Sequence, residues 1–297
     1  MPEGDTIFRS ARALNKALAG AIVTRFETAY APLVSVDDDT PVAGRVIERV
    51  EARGKWLLIH FSGDLILVTH MLMNGSWHIY RAGERWKRGR QHMRIVITTA
   101  NYEAVAFDVP VAKFHTARTL ERHSAIPKLG PDLLTSGFAA DEAGARLLAR
   151  PDEEVANVLL NQQVMAGIGN VFKSEICFAC GVNPFRLVGS LTPSEVDCLL
   201  HTAKKMLAAN VLDGSGDGIV TYTGARRTTS NADPGARLWV YGRRGRPCRR
   251  CGTPILMRRQ GMGARSTYWC PECQPAPAGI AITGLDQPTR RRKIGCS

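Results

Sequence analysis

The chain has 297 residues, 44% hydrophobic and 22% charged, long enough for about two domains with a core that needs no disulfide staples. Lys and Arg number 39 against 27 Asp and Glu, a net charge of +12. This balance excludes a wholly disordered chain or a collagen-like repeat, and no apolar run reaches the roughly eighteen residues of a membrane helix. The opening residues, MPEGDTIFRS, carry Glu3 and Asp5 and lack the apolar stretch of a secretory signal, so a cytoplasmic, nucleoid-associated location is expected. Residues 5–19 predict a helix, with Ile7, Phe8, Ala11, Leu14 and Leu18 on one face. From 21 to 108 come seven short segments rich in β-branched and aromatic residues: AIVTRFE, RVIERVEA, KWLLIHF, LILVTHM, SWHIYR, MRIVITT and YEAVAFDV. Glycines 44, 54, 63, 75 and 83 punctuate them, and the pattern predicts a β-sandwich or barrel. Residues 122–135 read as a linker. Helices follow around Val155, Val158 and Leu159, over 171–179, and over 193–211, where Thr192, Pro193 and Glu195 spell an N-cap, a first helical position and a capping box. Residues 213–236 lack periodicity and read as a functional or disordered loop. A Pro/Ala/Gly tail begins near 275.

The charge is unevenly placed. Residues 238–297 hold 12 basic residues and only two acids, Glu272 and Asp286. Concentrated positive charge is the footprint of a nucleic-acid binder, although the run at 290–293 by itself reads as a solvated tail. The eight cysteines are not a disulfide framework in a cytosolic chain. Cys248-x2-Cys251 and Cys270-x2-Cys273, eighteen residues apart, read as a four-thiolate structural zinc site. Cys177 and Cys180, in EICFAC, read as small buried hydrophobes rather than a metal or redox pair. Cys198 falls in a helix and Cys296 in the tail.

Three segments carry chemistry. In MPEG, Pro2 follows an initiator methionine of the kind that is removed before a small residue. A freed Pro2 is a secondary amine whose pKa lies far below a lysine's, so it attacks an aldehyde-like carbon and forms a cationic iminium directly. Glu3 stands beside it as a proton donor and acceptor; a plain helix start is the competing reading. In MAGIGNVFKSE, Gly167 and Gly169 permit tight turns whose successive amides suit a phosphate oxygen, with Asn170 starting the next helix; a simple glycine-capped hairpin of helices is the alternative. In ARGKWLL, Lys55 follows Gly54 at a hairpin turn, where a lysine is otherwise a solvated edge charge.

MPEG at the N-terminus, RGK near 55, AGIGN near 168 and a C-terminal four-Cys finger, in that order, resemble the formamidopyrimidine-DNA glycosylase / endonuclease VIII family of base-excision repair enzymes over residues 1–275. The resemblance implies a multidomain α+β fold. An N-terminal β-sandwich with a leading helix would span 1–121, a linker 122–135, a helical helix–two-turn–helix domain 136–242, a zinc-finger hairpin 243–274 and a basic tail 275–297. It implies a monomer with one structural zinc ion, acting on damaged and abasic double-stranded DNA whose lesion is flipped into the cleft. Pro2 would be the nucleophile at the deoxyribose and Glu3 the proton shuttle. Lys55 and Arg265 would complete the catalytic group, gripping phosphates together with Asn170 and the turn of Gly167 and Gly169.

HMLMNG matches the family's wedge loop, which makes Leu72, Met73 and Asn74 gap fillers, with core packing as the alternative for Met73. Tyr222, Arg226 and Arg227 are candidate lesion-pocket contacts. The branch acting on oxidised purines carries an Asp-x-Arg-Arg-Phe-Gly loop; here FDVPVAKFHTAR keeps Asp108 and lacks the Arg-Arg-Phe wedge. The expectation is therefore the endonuclease VIII side, oxidised pyrimidines, and strand cleavage by β- then δ-elimination. The rival readings are a damage-binding protein without chemistry and, within the family, an oxidised-purine glycosylase. A zinc hydrolase is disfavoured, because four cysteines close the metal shell and the histidines form no ligand cluster.

Overall fold

The structure, a computed structural model, describes residues 2–122, 126, 128–212, 221 and 237–276. Helix α1 (Gly4–Leu18) forms where the apolar spacing predicts it, and Ile7, Ala11, Leu14 and Leu18 are buried while Phe8 is half-buried. Two antiparallel four-stranded sheets follow. The first has the order β2 (Ile47–Arg53), β3 (Trp56–Phe61), β4 (Leu65–His70), β8 (Val111–His115). The second has the order β1 (Arg25–Thr28), β6 (Met93–Thr98), β7 (Tyr102–Phe107), β5 (Ser76–Arg81). Strand alternation sets the inner face: Leu57, Ile59, Leu67, Ile95, Ile97, Ala104 and Ala106 join the α1 residues in one core. Leu58, Ile66 and Val68 point the other way, under Leu120 and Ile126. The chain crosses between the sheets three times, through 29–46 after β1, through 71–75 after β4 and through 108–110 after β7.

Four elements were not anticipated, helix α4 (Ala140–Leu148) and three in or beside the sandwich. A helix, α2 (Ala31–Asp39), interrupts the strands; Leu33 is its only buried residue, so the sequence shows no apolar stripe. β8 arises in the stretch read as a loop, as a half-buried edge strand with Lys113 outward. Helix α3 (Ala117–Arg122) closes the sandwich and takes in the first residue of the expected linker.

The helical unit comprises α4 (Ala140–Leu148), α5 (Val155–Leu160), α6 (Asn170–Ala179) and α7 (Pro193–Leu212). It has its own core, including Leu147, Val158, Phe172, Ile176, Leu199 and Leu207. The capping box of α7 is reciprocal: the Thr192 amide donates to Glu195 at 2.8 Å and the Glu195 amide to the Thr192 hydroxyl at 3.3 Å, an arrangement worth about 1 kcal/mol. Cys180 corrects its sequence reading. It is no mere apolar filler but is bonded to Cys198, with Cα atoms 5.9 Å apart, because the C-terminal end of α6 lies against the first turns of α7. Cys177 is a buried free thiol as expected. The finger is a hairpin of β9 (Leu256–Gln260) and β10 (Arg265–Trp269). Its apolar residues pack on Phe178 of α6, and Trp269 meets Phe185 edge-on at 4.8 Å. No helix among the described residues is long and apolar enough to cross a membrane.

Candidate active site and metal centre

The site is assembled where α1 begins. The Gly4 amide donates to the Gly167 carbonyl at 2.9 Å, and a Cβ on Gly4 would lie 2.6 Å from the Gly167 Cα. Only glycine lets the leading helix touch the turn before α6 this closely. Gly167 itself has φ +113°, which disfavours any side chain. That contact places Glu3 over the N-terminus of α6. Its carboxylate accepts hydrogen bonds from the amides of Val171 (2.7 Å), Gly169 (3.0 Å) and Phe172 (3.2 Å), donors that a helix start leaves without partners. A Cβ on Gly169 would sit 2.3 Å from the Glu3 Cδ. Gly167 and Gly169, expected to shape a phosphate-binding turn, lie beside these Glu3 contacts. Glu3 takes up these amides from inside the protein, and the glycines shape its cradle.

Glu3 is fully buried. Burial pushes its pKa up to about 7, against the opposing pull of the Val171 amide and of the Lys55 charge. A carboxyl poised there exchanges protons at neutral pH. Pro2, half-buried, precedes it directly. Lys55 is fixed by its turn: Gly54 has φ +58°, and its amide donates to the Asp132 carboxylate at 2.7 Å. Leu129 and Ala166 close over Gly54, 3.2 and 3.3 Å from where a Cβ would stand. The stretch read as a linker therefore holds the Lys55 turn in place. Burial lowers the Lys55 pKa, Glu3 offsets part of this, and Arg265 adds to the lowering. Lys55 in turn helps burial to lower the pKa of His70. Glu3, Lys55 and Arg265 thus come within electrostatic range of one another from three parts of the chain. Arg265 is exposed at the start of β10, after a turn in which Ala264 has φ +44°.

Asn170 opens α6 and is 6% exposed. Its amide nitrogen donates to the Tyr241 hydroxyl at 3.2 Å, and its Oδ1 has no partner. Leu72 and Met73 are 49% and 58% exposed, which removes core packing as the role of Met73. Leu72 stands in left-handed backbone at φ +45°, and Asn74 is also exposed. These three form an exposed loop. Tyr222, Arg226, Arg227 and the tail from 277 lie outside the described residues.

Four residues of the site were missed in the sequence. Glu175 is fully buried and accepts from the amides of Trp239 (2.8 Å), Val240 (2.9 Å) and Tyr241 (2.9 Å) and from the Thr221 hydroxyl, fixing the approach to the finger. Tyr241 meets Tyr268 edge-on at 4.9 Å. Lys173 is fully buried, its Nζ has no hydrogen-bond partner, and burial pushes its pKa down to about 8. Asp132 braces Gly54. Only Glu175 and Lys173 carried a signal, as charges inside an otherwise apolar helical run.

The four finger cysteines converge, with all their sulfurs within 4.8 Å of one another. Cys248 and Cys273 are 3.9 Å apart, and Cys251 and Cys270 3.4 Å. A tetrahedral zinc with bonds of about 2.3 Å spaces its sulfurs about 3.8 Å apart, so the set fits a closed thiolate site. Backbone amides support it, Arg250 N–H donating to Cys248 at 3.4 Å and Cys273 N–H to Cys270 at 3.5 Å. Gln274 ties this knuckle to the helical unit through the Val182 carbonyl and the Asn183 side chain, both at 2.8 Å.

Comparison with known proteins agrees with this geometry. Residues 1–116 match the formamidopyrimidine-DNA glycosylase N-terminal domain. Residues 129–221 match the formamidopyrimidine-DNA glycosylase H2TH domain, and 245–276 the zinc finger found in FPG and IleRS. A "Probable endonuclease 8 2" of Streptomyces coelicolor is 41% identical over 281 residues, covering 94% of this chain and 95% of the relative. A DNA-(apurinic or apyrimidinic site) lyase Nei2 of Mycolicibacterium smegmatis is 39% identical over 93% of this chain and all of its own. Among solved structures, Lactococcus lactis Fpg in complex with abasic-site DNA superposes with a TM-score of 0.76 at 22% identity, covering 93% of this chain and all of that one, a likeness of fold. The chain belongs to the formamidopyrimidine-DNA glycosylase / endonuclease VIII family of DNA-repair glycosylases and abasic-site lyases.

Proposed function

We propose that this protein excises oxidised bases, pyrimidines foremost, from double-stranded DNA and then cuts the abasic strand through a covalent adduct on Pro2. The observation that carries the reading is the placement of Glu3, fully buried with its pKa pushed up to about 7, next to Pro2 and within electrostatic range of Lys55. With the initiator methionine removed, the Pro2 nitrogen attacks C1′ of the flipped nucleotide. The glycosidic bond breaks and the base departs with a proton. Glu3 protonates the opening sugar ring, and the nitrogen lone pair closes an iminium to C1′. The iminium acidifies the C2′ hydrogen; its loss expels the 3′ phosphate, and a second proton loss at C4′ expels the 5′ phosphate. Base catalysis of this kind contributes about 10²–10⁴-fold.

Lys55, Arg265 and Asn170 hold phosphates around the extruded nucleotide, and Leu72, Met73 and Asn74 fill the gap it leaves. The preference for pyrimidines is supported by the absence of the Arg-Arg-Phe loop and by relatives named endonuclease 8. One zinc ion, held by Cys248, Cys251, Cys270 and Cys273, locks the hairpin that carries Arg265 and takes no part in the chemistry. The enzyme works as a monomer in the cytoplasm.

The test is borohydride trapping on abasic-site DNA with the N-terminus established as Pro2. A covalent adduct is expected, and Pro2→Gly should lower excision at least ~10²-fold while DNA affinity changes far less. A processed enzyme that cuts DNA without any trappable adduct would refute the Pro2 role.

A further inference from the structure

The loop joining β5 to β6 is unused by the chemistry proposed above. Residues 81–92, RAGERWKRGRQH, hold five basic residues and one acid. The loop is anchored at several points. The indole N–H of Trp86 donates to Glu103 at 2.7 Å, its ring meets Phe107 edge-on at 5.8 Å, and the Lys87 amide donates to the Tyr80 hydroxyl at 3.1 Å. Arg90 pairs with Glu27. Arg85, Lys87 and Arg88 remain exposed.

On one side this loop faces the 71–75 segment. A cleft of about 830 Å³ lies between Leu72, Met73 and Asn74 on one wall and Arg88, His92 and Asp108 on the other. Each wall contains a non-glycine residue in left-handed backbone, Leu72 at φ +45° and Asp108 at φ +49°, a conformation that persists only where its surroundings impose it. For Asp108 the constraint is visible: Arg88 donates to its carboxylate at 2.9 Å and His92 Nδ1 pairs with it at 3.0 Å. The Arg88 side chain is 41% exposed, which leaves its remaining donors along the cleft. Topology orders the parts. Lys55 and His70 belong to the first sheet, the Arg88 loop to the second, and segment 71–75 crosses between them.

We propose that the β5–β6 loop is the contact for the strand opposite the damaged one, with Arg85 and Lys87 on its phosphates and Arg88 meeting the base left unpaired when its partner flips. The proposal rests on the reading of Leu72, Met73 and Asn74 as gap fillers. A wedge that replaces a nucleotide on the first-sheet side leaves the partner strand on the far side, where the cations stand. A guanidinium fork suits a stranded base that presents adjacent acceptors.

The test is equilibrium binding, by fluorescence anisotropy over a salt series, to single-stranded and duplex oligonucleotides carrying a tetrahydrofuran abasic analogue. The duplexes carry each of the four bases opposite the analogue. The double variant Arg85→Ala, Lys87→Ala should lower the log–log salt slope on duplex by about 2 units, and by clearly less on single strands. Arg88→Ala should flatten the dependence on the opposite base, expected at about ten-fold in wild type, and Arg88→Lys should flatten it too, since lysine lacks the fork. Equal slope changes on both substrates, or a base dependence that survives Arg88→Lys, would overturn the proposal. The second outcome would leave Arg88 as a prop for Asp108. Binding to this analogue needs no covalent step, so a missing borohydride adduct counts against the Pro2 chemistry and leaves these slopes to judge the loop.

Discussion

Helix α6 serves two buried carboxylates, and the contrast between them separates the proposed chemistry from scaffolding. Glu3 comes from outside the helix and takes three amides at its N-terminus. Glu175 belongs to the helix and reaches out to three amides of residues 239–241. Both are fully buried, and both sit in backbone cradles. What differs is the company. Glu3 has Pro2 beside it and Lys55 within electrostatic range, at the junction of sandwich and helical unit. Glu175 has the Thr221 hydroxyl as a further donor and joins α6 to the bent segment that leads into the finger. A buried carboxylate in a backbone cradle is therefore not itself a catalytic signature; the nucleophile proposed beside Glu3 is what sets it apart from Glu175.

The largest expected effect breaks the first cradle. Glu3→Gln keeps the volume and removes the exchangeable proton, so base excision should fall by about 10²–10⁴-fold. DNA affinity should stay within a few-fold. A variant retaining a tenth or more of the wild-type single-turnover rate would remove Glu3 from the mechanism. Gly169→Ala attacks the same contact from the other side. The new Cβ would stand 2.3 Å from the Glu3 Cδ, so the carboxyl must leave its three donors. Excision should fall nearly as far as in Glu3→Gln, and thermal stability should drop too, because buried amides lose their acceptor. Unchanged single-turnover kinetics in Gly169→Ala would show that Glu3 need not sit in this cradle to act.

Glu175→Ala should invert that pattern. It strands three buried donors at a cost of about 1 kcal/mol or more each, so unfolding free energy should fall by about 3 kcal/mol or more. Denaturant melts measure this directly. The residual folded enzyme should still form a borohydride adduct, with weakened DNA affinity because the finger and Arg265 lose their support. Selective loss of the adduct with unchanged stability would place Glu175 in the chemistry and erase the contrast.

The two carboxylates also differ in how far the sequence exposed them. Glu3 was legible because the nucleophile proposed for it is its neighbour in the chain, so a short motif contains both. The finger was legible for the same reason, since two C-x-x-C turns state the metal geometry locally. Glu175 was hidden. Nine of the ten residues of α6 are buried, polar and apolar alike, so the helix has no outward face for periodicity to reveal, and the amides that donate to Glu175 lie more than sixty residues ahead. The same logic explains the cradle itself: Gly167 and Gly169 announced a tight turn, but nothing local said that the turn was already filled by residue 3. In the sandwich, strands such as β3 and β4, buried almost throughout, were readable, while β8, an edge strand with a half-buried pattern after Pro110, was not. The disulfide between Cys180 and Cys198 escaped because only the packing of α6 on α7 brings those positions together.

The smallest effect sharpens the contrast through pH. Glu3 has its pKa raised from 4.5 to about 7 by burial. Between those values the folded protein keeps a proton there that the unfolded chain has released, so folding binds protons and stability falls as pH rises. The contribution is fully present below about pH 4.5 and is lost as pH passes through about 7. Asp5, also raised by burial, acts in the same direction at lower pH. Lys55 and Lys173, lowered by burial, act in the opposite direction at higher pH, so the wild-type curve mixes several groups. Subtracting the melting temperatures of Glu3→Gln from those of wild type between pH 5 and 8 isolates Glu3. The difference should decline with pH and level off above about 8. A difference that stays flat from pH 5 to 8 would mean that the cradle's amides outweigh burial, that Glu3 is held as a carboxylate, and that its proton comes from solvent at the moment of ring opening.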